Sequence, residues 1–164
     1  MEPLQELIDR SWERAGAPLR AAWPKEHRMT AARLLSFCQE QRHCVLGVTL
    51  ASRAPLLIPV SFHLASSGTI WLPTGSGSVR LGVLRKNPRA AVVVGQGVSD
   101  HHRVVLASGP VELQASSALP SGVAEAAGNK LGDLGWAEWW IRLMPDRLLG
   151  YDAGGDGSLS VSPG

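Results

Sequence analysis

The chain has 164 residues, 45% of them apolar and 18% charged, with a formal net charge of +2. Such a composition describes one globular domain with a sizeable core and excludes a disordered chain. The sixteen basic residues are scattered, with the densest pair at Arg85-Lys86, which excludes the dense cationic stripe of a nucleic-acid binder.

The N-terminus, MEPLQELIDRSWERAG, is charged and amphipathic. It lacks the apolar core of a signal peptide, and no run reaches the ~18–20 apolar residues of a membrane span. Cys38 and Cys44 match neither a disulfide framework nor a CxxC site, so reduced thiols and a cytoplasmic location are expected.

Along the chain, Leu4, Leu7, Ile8 and Trp12 recur at helical spacing and predict a helix over 3–15. Gly16, Pro18 and Pro24 make 16–28 a linker. Thr30 is a candidate N-cap for a helix over 31–41, with Leu34, Leu35 and Cys38 on its apolar face. The period then shortens to two. Strands are expected at Cys44–Leu50 and Leu56–Leu64, joined by a turn at Ala51–Ala54. In the second, Leu56, Ile58, Val60, Phe62 and Leu64 share one face, and Leu57, Pro59, Ser61 and His63 the other. This is the pattern of a barrel wall, with core on one side and ligand or partner on the other. Pro59 has no N–H to donate, so it belongs on an edge or at a break in pairing.

Ser66-Ser67-Gly68 reads as a turn, Thr69–Thr74 as a third strand and Ser78–Lys86 as a two-turn helix stopped at Asn87-Pro88. Arg89–Val94 is a continuous apolar strand, expected to be buried on nearly both faces. After a loop over 95–102, Arg103–Leu113 is a fifth strand with a bulge at Gly109-Pro110. Ala115–Leu131 reads as a helix weakened by Pro120, Gly122 and Gly128. Trp140–Met144 and Leu148–Tyr151 form a last strand pair. Three divisions result: an extension and linker over 1–28, a barrel domain over 29–153, and a flexible Gly/Ser-rich tail over 154–164. The hairpins at 51–54 and 65–68 leave no room for crossover helices, so the fold class is mainly β with flanking helices, a small closed or split antiparallel barrel.

The chemistry-bearing stretch is Thr74, Gly75, Ser76, Gly77, Ser78 and Arg80, where a strand feeds a helix N-terminus. Free N–H groups, hydroxyls and a guanidinium suit an anion, and phosphate in particular. It is neither a P-loop nor GxGxxG, since Arg80 holds the third glycine position. An ordinary Ser-capped strand–helix connection is the alternative. The face carrying Pro59, Ser61 and His63 suits a flat ring, or else plain solvent. Asp100-His101-His102 reads as a solvated loop rather than a metal site. Trp136, Trp139 and Trp140 either pack the barrel's end, lie in a subunit interface, or flank a planar ligand.

The runs IPVSF (58–62), IWLPT (70–74), SVRLGVLRKNPRAAVVV (78–94), LASGPVEL (106–113) and IRLMPDRLLGYD (141–152) occur in one order and spacing. Over 31–152 the chain thereby resembles the pyridoxamine 5′-phosphate oxidase-like, FMN-binding split-barrel superfamily. The closing segment and LRKNPRAAV are similar to its deazaflavin-using branch. The resemblance implies a six-stranded split barrel and a homodimer with cofactor sites at the subunit interface. It implies a cofactor phosphate at Thr74, Gly75, Ser76, Ser78, Val79 and Arg80, and a ring along Pro59, Val60 and Ser61. Arg80 stands where the family usually has Lys, Val83 where it has Asn, Gly82 where it has a basic residue, Ser61 where an aromatic often follows PV, and Tyr151 where it has Trp.

The expected function is a flavin-type oxidoreductase passing a hydride between FMN, or the deazaflavin coenzyme F(420), and a small organic substrate. Arg85, Lys86 and Arg89 are candidates for the acidic tail of the deazaflavin, and His63 and Tyr151 for proton delivery. The alternatives are a non-catalytic flavin- or haem-binding module, and a barrel repurposed for non-redox chemistry in a specialised pathway.

Overall fold

A computed structural model describes residues 2–98 and 101–154; most of the expected tail, and Asp100, lie outside them. Helix α1 (Glu2–Glu13) buries Leu4, Ile8, Ser11 and Trp12 along one stripe. The stretch read as a linker folds into α2 (Ala17–Ala22), with Pro18 in its first turn, and a 3-10 turn at Lys25–His27. Proline is tolerated there because the first helical N–H groups need no partner within the helix. Helix α3 (Ala31–Glu40) begins as expected, with the Thr30 side chain accepting from the Arg33 N–H at 3.4 Å.

The strands are β1 (His43–Thr49), β2 (Pro55–Ser61), β3 (His63–Leu64), β4 (Ile70–Thr74), β5 (Arg89–Gln96), β6 (Arg103–Ala115), β7 (Trp139–Leu143) and β8 (Arg147–Asp152). Helix α4 (Val79–Lys86) joins β4 to β5, and α5 (Val123–Leu131) lies between β6 and β7. All pairings are antiparallel, in the order β2-β1-β5-β6-β7-β4-β3, with β8 also on β6. The described sheet thus has eight strands rather than six. One added strand arises because the segment read as Leu56–Leu64 breaks at Phe62: its first part pairs with β1 and its last with β4. Pro59 sits on an edge strand, where the missing N–H is harmless.

Strand β6 builds the curl. Its whole length to Pro110 pairs with β5, without a bulge, while its other edge passes from β8 (Arg103–Ser108) to β7 (Val111–Ala115). At the handover a side chain on Gly109 would strike the backbone carbonyl of Met144. The expected bulge is therefore a change of partner. Strands β7 and β8 consequently do not pair with each other, contrary to expectation. Ala115–Leu131 also divides, into a 3-10 turn at Ser116–Ala118 and α5, which starts after Gly122 at φ +84°.

Leu4, Ile8, Leu34, Phe37, Leu46, Phe62, Leu72, Val92, Leu143 and Leu148 share one buried core, so α1 packs into the barrel's own interior. A smaller cluster of Trp71, Ala127, Leu131, Ala137 and Trp140 holds α5 against the outer face of β4 and β7. Strand β5 alternates buried and exposed rather than being buried on both faces. The result is a curled antiparallel half-barrel with flanking helices.

Candidate functional site

Strand β4 ends at Thr74, whose side chain is fully buried. The next four residues turn into α4, and the chain comes back so that Arg80 Nε donates to Thr74 Oγ1 at 2.8 Å. Burial pulls Arg80 below the usual guanidinium range, yet arginine stays charged at any working pH. Ser78 takes the extended backbone of an N-cap, but its hydroxyl caps no N–H of the helix. Gly75 and Gly77 have open space where a side chain would stand. Thr74 and Arg80 are therefore joined across the turn that carries Ser76 and Ser78. Val79 lies in the same turn, with its side chain 71% exposed.

The corner already holds an anionic oxygen. Ser76 N–H donates to Glu138 Oε2 at 2.8 Å, and the Ser76 hydroxyl bonds the same carboxylate. These bonds hold the Glu138 carboxyl below the usual carboxylate range. Glu138 escaped the sequence reading. The available signal was a lone acid within the apolar run WAEWWI, but its partner lies 62 residues away. Next to it, Trp139 pairs with Thr74 across β7 and β4, and the Arg85 guanidinium lies 5.5 Å from its ring centre.

The remaining candidates spread out. Val60 is buried and faces the core, while Pro59 and Ser61 face outward from the edge strand. Strand β2 also approaches β4. Lys86 closes α4, about 9 Å along the axis from Arg80 at 1.5 Å per residue. Tyr151 belongs to another cluster. It stacks on Trp23 at 5.0 Å and lies near His27 and His102, beneath the N-terminal helices. His63 lies on the outer sheet face opposite Trp71. Its Nδ1 is buried without a partner, and burial, with help from Lys130, pulls its pKa down. The tryptophans divide too: Trp140 is buried and donates to Ser116 Oγ at 3.1 Å, whereas Trp136 is 52% exposed.

Lys130 also went unrecognised in the sequence. Its ammonium donates to the carbonyls of Cys38 (2.7 Å) and Phe62 (2.9 Å) and lies 3.8 Å from the Phe62 ring centre. It thus ties α5 to the end of α3 and to the break between β2 and β3. Burial lowers its pKa to about 8 and pushes Cys38 and Cys44 up to about 12. Thiols so displaced are inert core groups rather than nucleophiles. Among the described residues no helix is long and apolar enough to cross a membrane.

No family model and no curated protein matches the sequence. Solved structures do match. A conserved hypothetical protein from Mycobacterium tuberculosis is 19% identical, with 87% of this chain and 96% of that one covered at a TM-score of 0.65. An FAD-binding protein from Mycobacterium smegmatis is 15% identical, with 76% and 95% covered at 0.59. The haem storage protein HutZ from Vibrio cholerae is 16% identical, with 74% and 95% covered at 0.61. At such identities the likeness speaks for the fold alone: these structures share the curled antiparallel half-barrel described above.

Proposed function

We propose that this chain is a flavin-type oxidoreductase that holds FMN, or the deazaflavin coenzyme F(420), by its phosphate at the β4–α4 corner. The observation that carries this reading is the corner's donor set. A guanidinium is anchored on a buried hydroxyl, beside two serines and a backbone N–H that already bonds a carboxylate oxygen. That carboxylate stands in for one oxygen of an anionic ligand. Arg80 would supply the charge, Ser76 and Ser78 the hydroxyl donors, and Gly75 and Gly77 the room for a bulky anion. Pro59 and Ser61, facing outward on the edge strand, would line the ring. When bound, the cofactor supplies the hydride chemistry, and the protein orients it and screens it from water. Tyr151 is engaged in the N-terminal aromatic cluster, which leaves His63 as the remaining proton-transfer candidate, held by burial toward its neutral, proton-accepting form.

The proposal includes a homodimer. Strands β2, β1 and β5 present Leu57 (66% exposed), Val45 (39%) and Val93 (41%) on one outward face. Val45 pairs directly with Val93. A second copy covering that face would bury these side chains and lie against Pro59 and Ser61.

The experiment is an absorbance titration of the purified chain with FMN and with the deazaflavin coenzyme under one set of conditions. Saturable binding of either supports the reading and selects the cofactor; binding of neither overturns it. The haem-storing relative makes a carrier role the second reading. Tight flavin binding without turnover of any reductant or acceptor would favour it.

A further inference from the structure

Glu138 is fixed from both sides of the chain. Its carbonyl accepts from the Ser116 N–H at 3.0 Å, and its neighbour Trp139 is locked opposite Thr74 in the β4–β7 ladder. The backbone is therefore held, and the exposed side chain alone is free to leave Ser76. On the opposite side, Ser76 is flanked by two glycines with open space around them. Arg80 does not neutralise the carboxylate: its Nε goes to Thr74, and no ion pair joins it to Glu138 among the described residues. The corner thus spends its Ser76 donors on an internal anion while keeping its cation for something else.

We propose that Glu138 is an internal competitor that sets the charge specificity of the corner. This rests on the reading that the corner takes a ligand phosphate. An incoming phosphate must displace the carboxylate from Ser76 and then sit near a second negative charge, which weakens binding of a dianion far more than of an uncharged ring. The chain accordingly prefers a phosphorylated flavin over its phosphate-free counterpart by less than Arg80 and the serines alone would give. A neutral amide at position 138 would enlarge that preference.

The experiment follows the Ser76 amide by nuclear magnetic resonance in the full chain, wild type and Glu138→Gln, during titration with inorganic phosphate. FMN and riboflavin titrations accompany it. Glu138→Gln is expected to lower the phosphate concentration that half-shifts Ser76 by about tenfold, the scale of one charge-assisted hydrogen bond. The FMN-to-riboflavin affinity ratio should rise by a similar factor. Equal phosphate response in the two proteins, or no response in either, overturns the proposal. The flavin reading fails separately: if phosphate behaves as expected and neither flavin binds, Glu138 still governs the corner but its ligand is another phosphate.

Discussion

Arg80 and Lys130 are both half-buried cations, and their partners give them opposite tasks. Arg80 meets one neutral hydroxyl and keeps most of its fork for a ligand. Lys130 is consumed by two carbonyls and an aromatic ring. Its lowered pKa gives a signed expectation. Burial disfavours the charged amine, so the folded state releases its proton near pH 8, whereas the unfolded chain holds it to about 10.5. Between those values the unfolded state binds more protons, so this group makes stability rise with pH. The thiols act the other way. Raised from 9.0 to about 12, they stabilise the fold fully below pH 9, and that contribution is lost as pH rises toward 12. Denaturant midpoints of wild type and Lys130→Met, measured across pH 7 to 11, isolate the lysine. The stability difference should shift in favour of wild type between about pH 8 and 10.5, and a pH-independent difference would contradict the assignment. That Thr74, Ser76, Ser78 and Arg80 share one strand–helix turn was legible because strand, loop and helix follow one another in sequence. Glu138 and Lys130 were not, because their partners lie 62 and 68 or more residues away and only the closed sheet brings them near.

At the scale of elements, the handover on β6 is the feature on which the curl depends. Gly109 lies under the backbone of residues 144–146, where any Cβ would meet main-chain atoms that cannot swing aside. Gly109→Ala should therefore destabilise the chain by about 2 kcal/mol or more, the range of overpacked and strained sites. Thermal unfolding measures this, and an unchanged midpoint would show that the β7–β8 connection is looser than its geometry implies. Local chemistry made much of this level readable: Thr30 capping α3, the two hairpin turns, Asn87-Pro88 ending α4. Two departures from local pattern share one cause. The apolar run Arg89–Val94 alternates between buried and exposed, and Gly109-Pro110 changes partner without a bulge. Each depended on which strand lies alongside, and strand order is a property of the sheet that no local window contains. The division of 115–131 was signalled by Pro120 and Gly122, which open a loop between the 3-10 turn and α5.

For the whole molecule, the apolar outer face of β2, β1 and β5 carries the expectation of a dimer. Exposed valines and a leucine standing together on one sheet face are poorly tolerated by an isolated chain in water. Light scattering should give twice the monomer mass for wild type, and Leu57→Glu or Val93→Lys should drive the protein toward monomer with its fold intact. A wild-type monomer would remove the second subunit from the site. The class of fold was legible from hairpin-length turns, which forbid crossover helices. The eight-strand count was not, because the break at Phe62 appears in sequence as one unbroken alternation from Leu56 to Leu64.

The central claim is that the β4–α4 corner binds a flavin through its phosphate. The measurement that bears on it most directly is an equilibrium titration of FMN into wild type and Arg80→Ala, with far-ultraviolet circular dichroism verifying the fold of each. The expected result is saturable binding by wild type and a loss of about 1.5–3 kcal/mol in the variant, the magnitude of a hydrogen bond to a charged group. Equal affinity in two well-folded proteins, or binding of neither FMN nor the deazaflavin coenzyme by wild type, would contradict it.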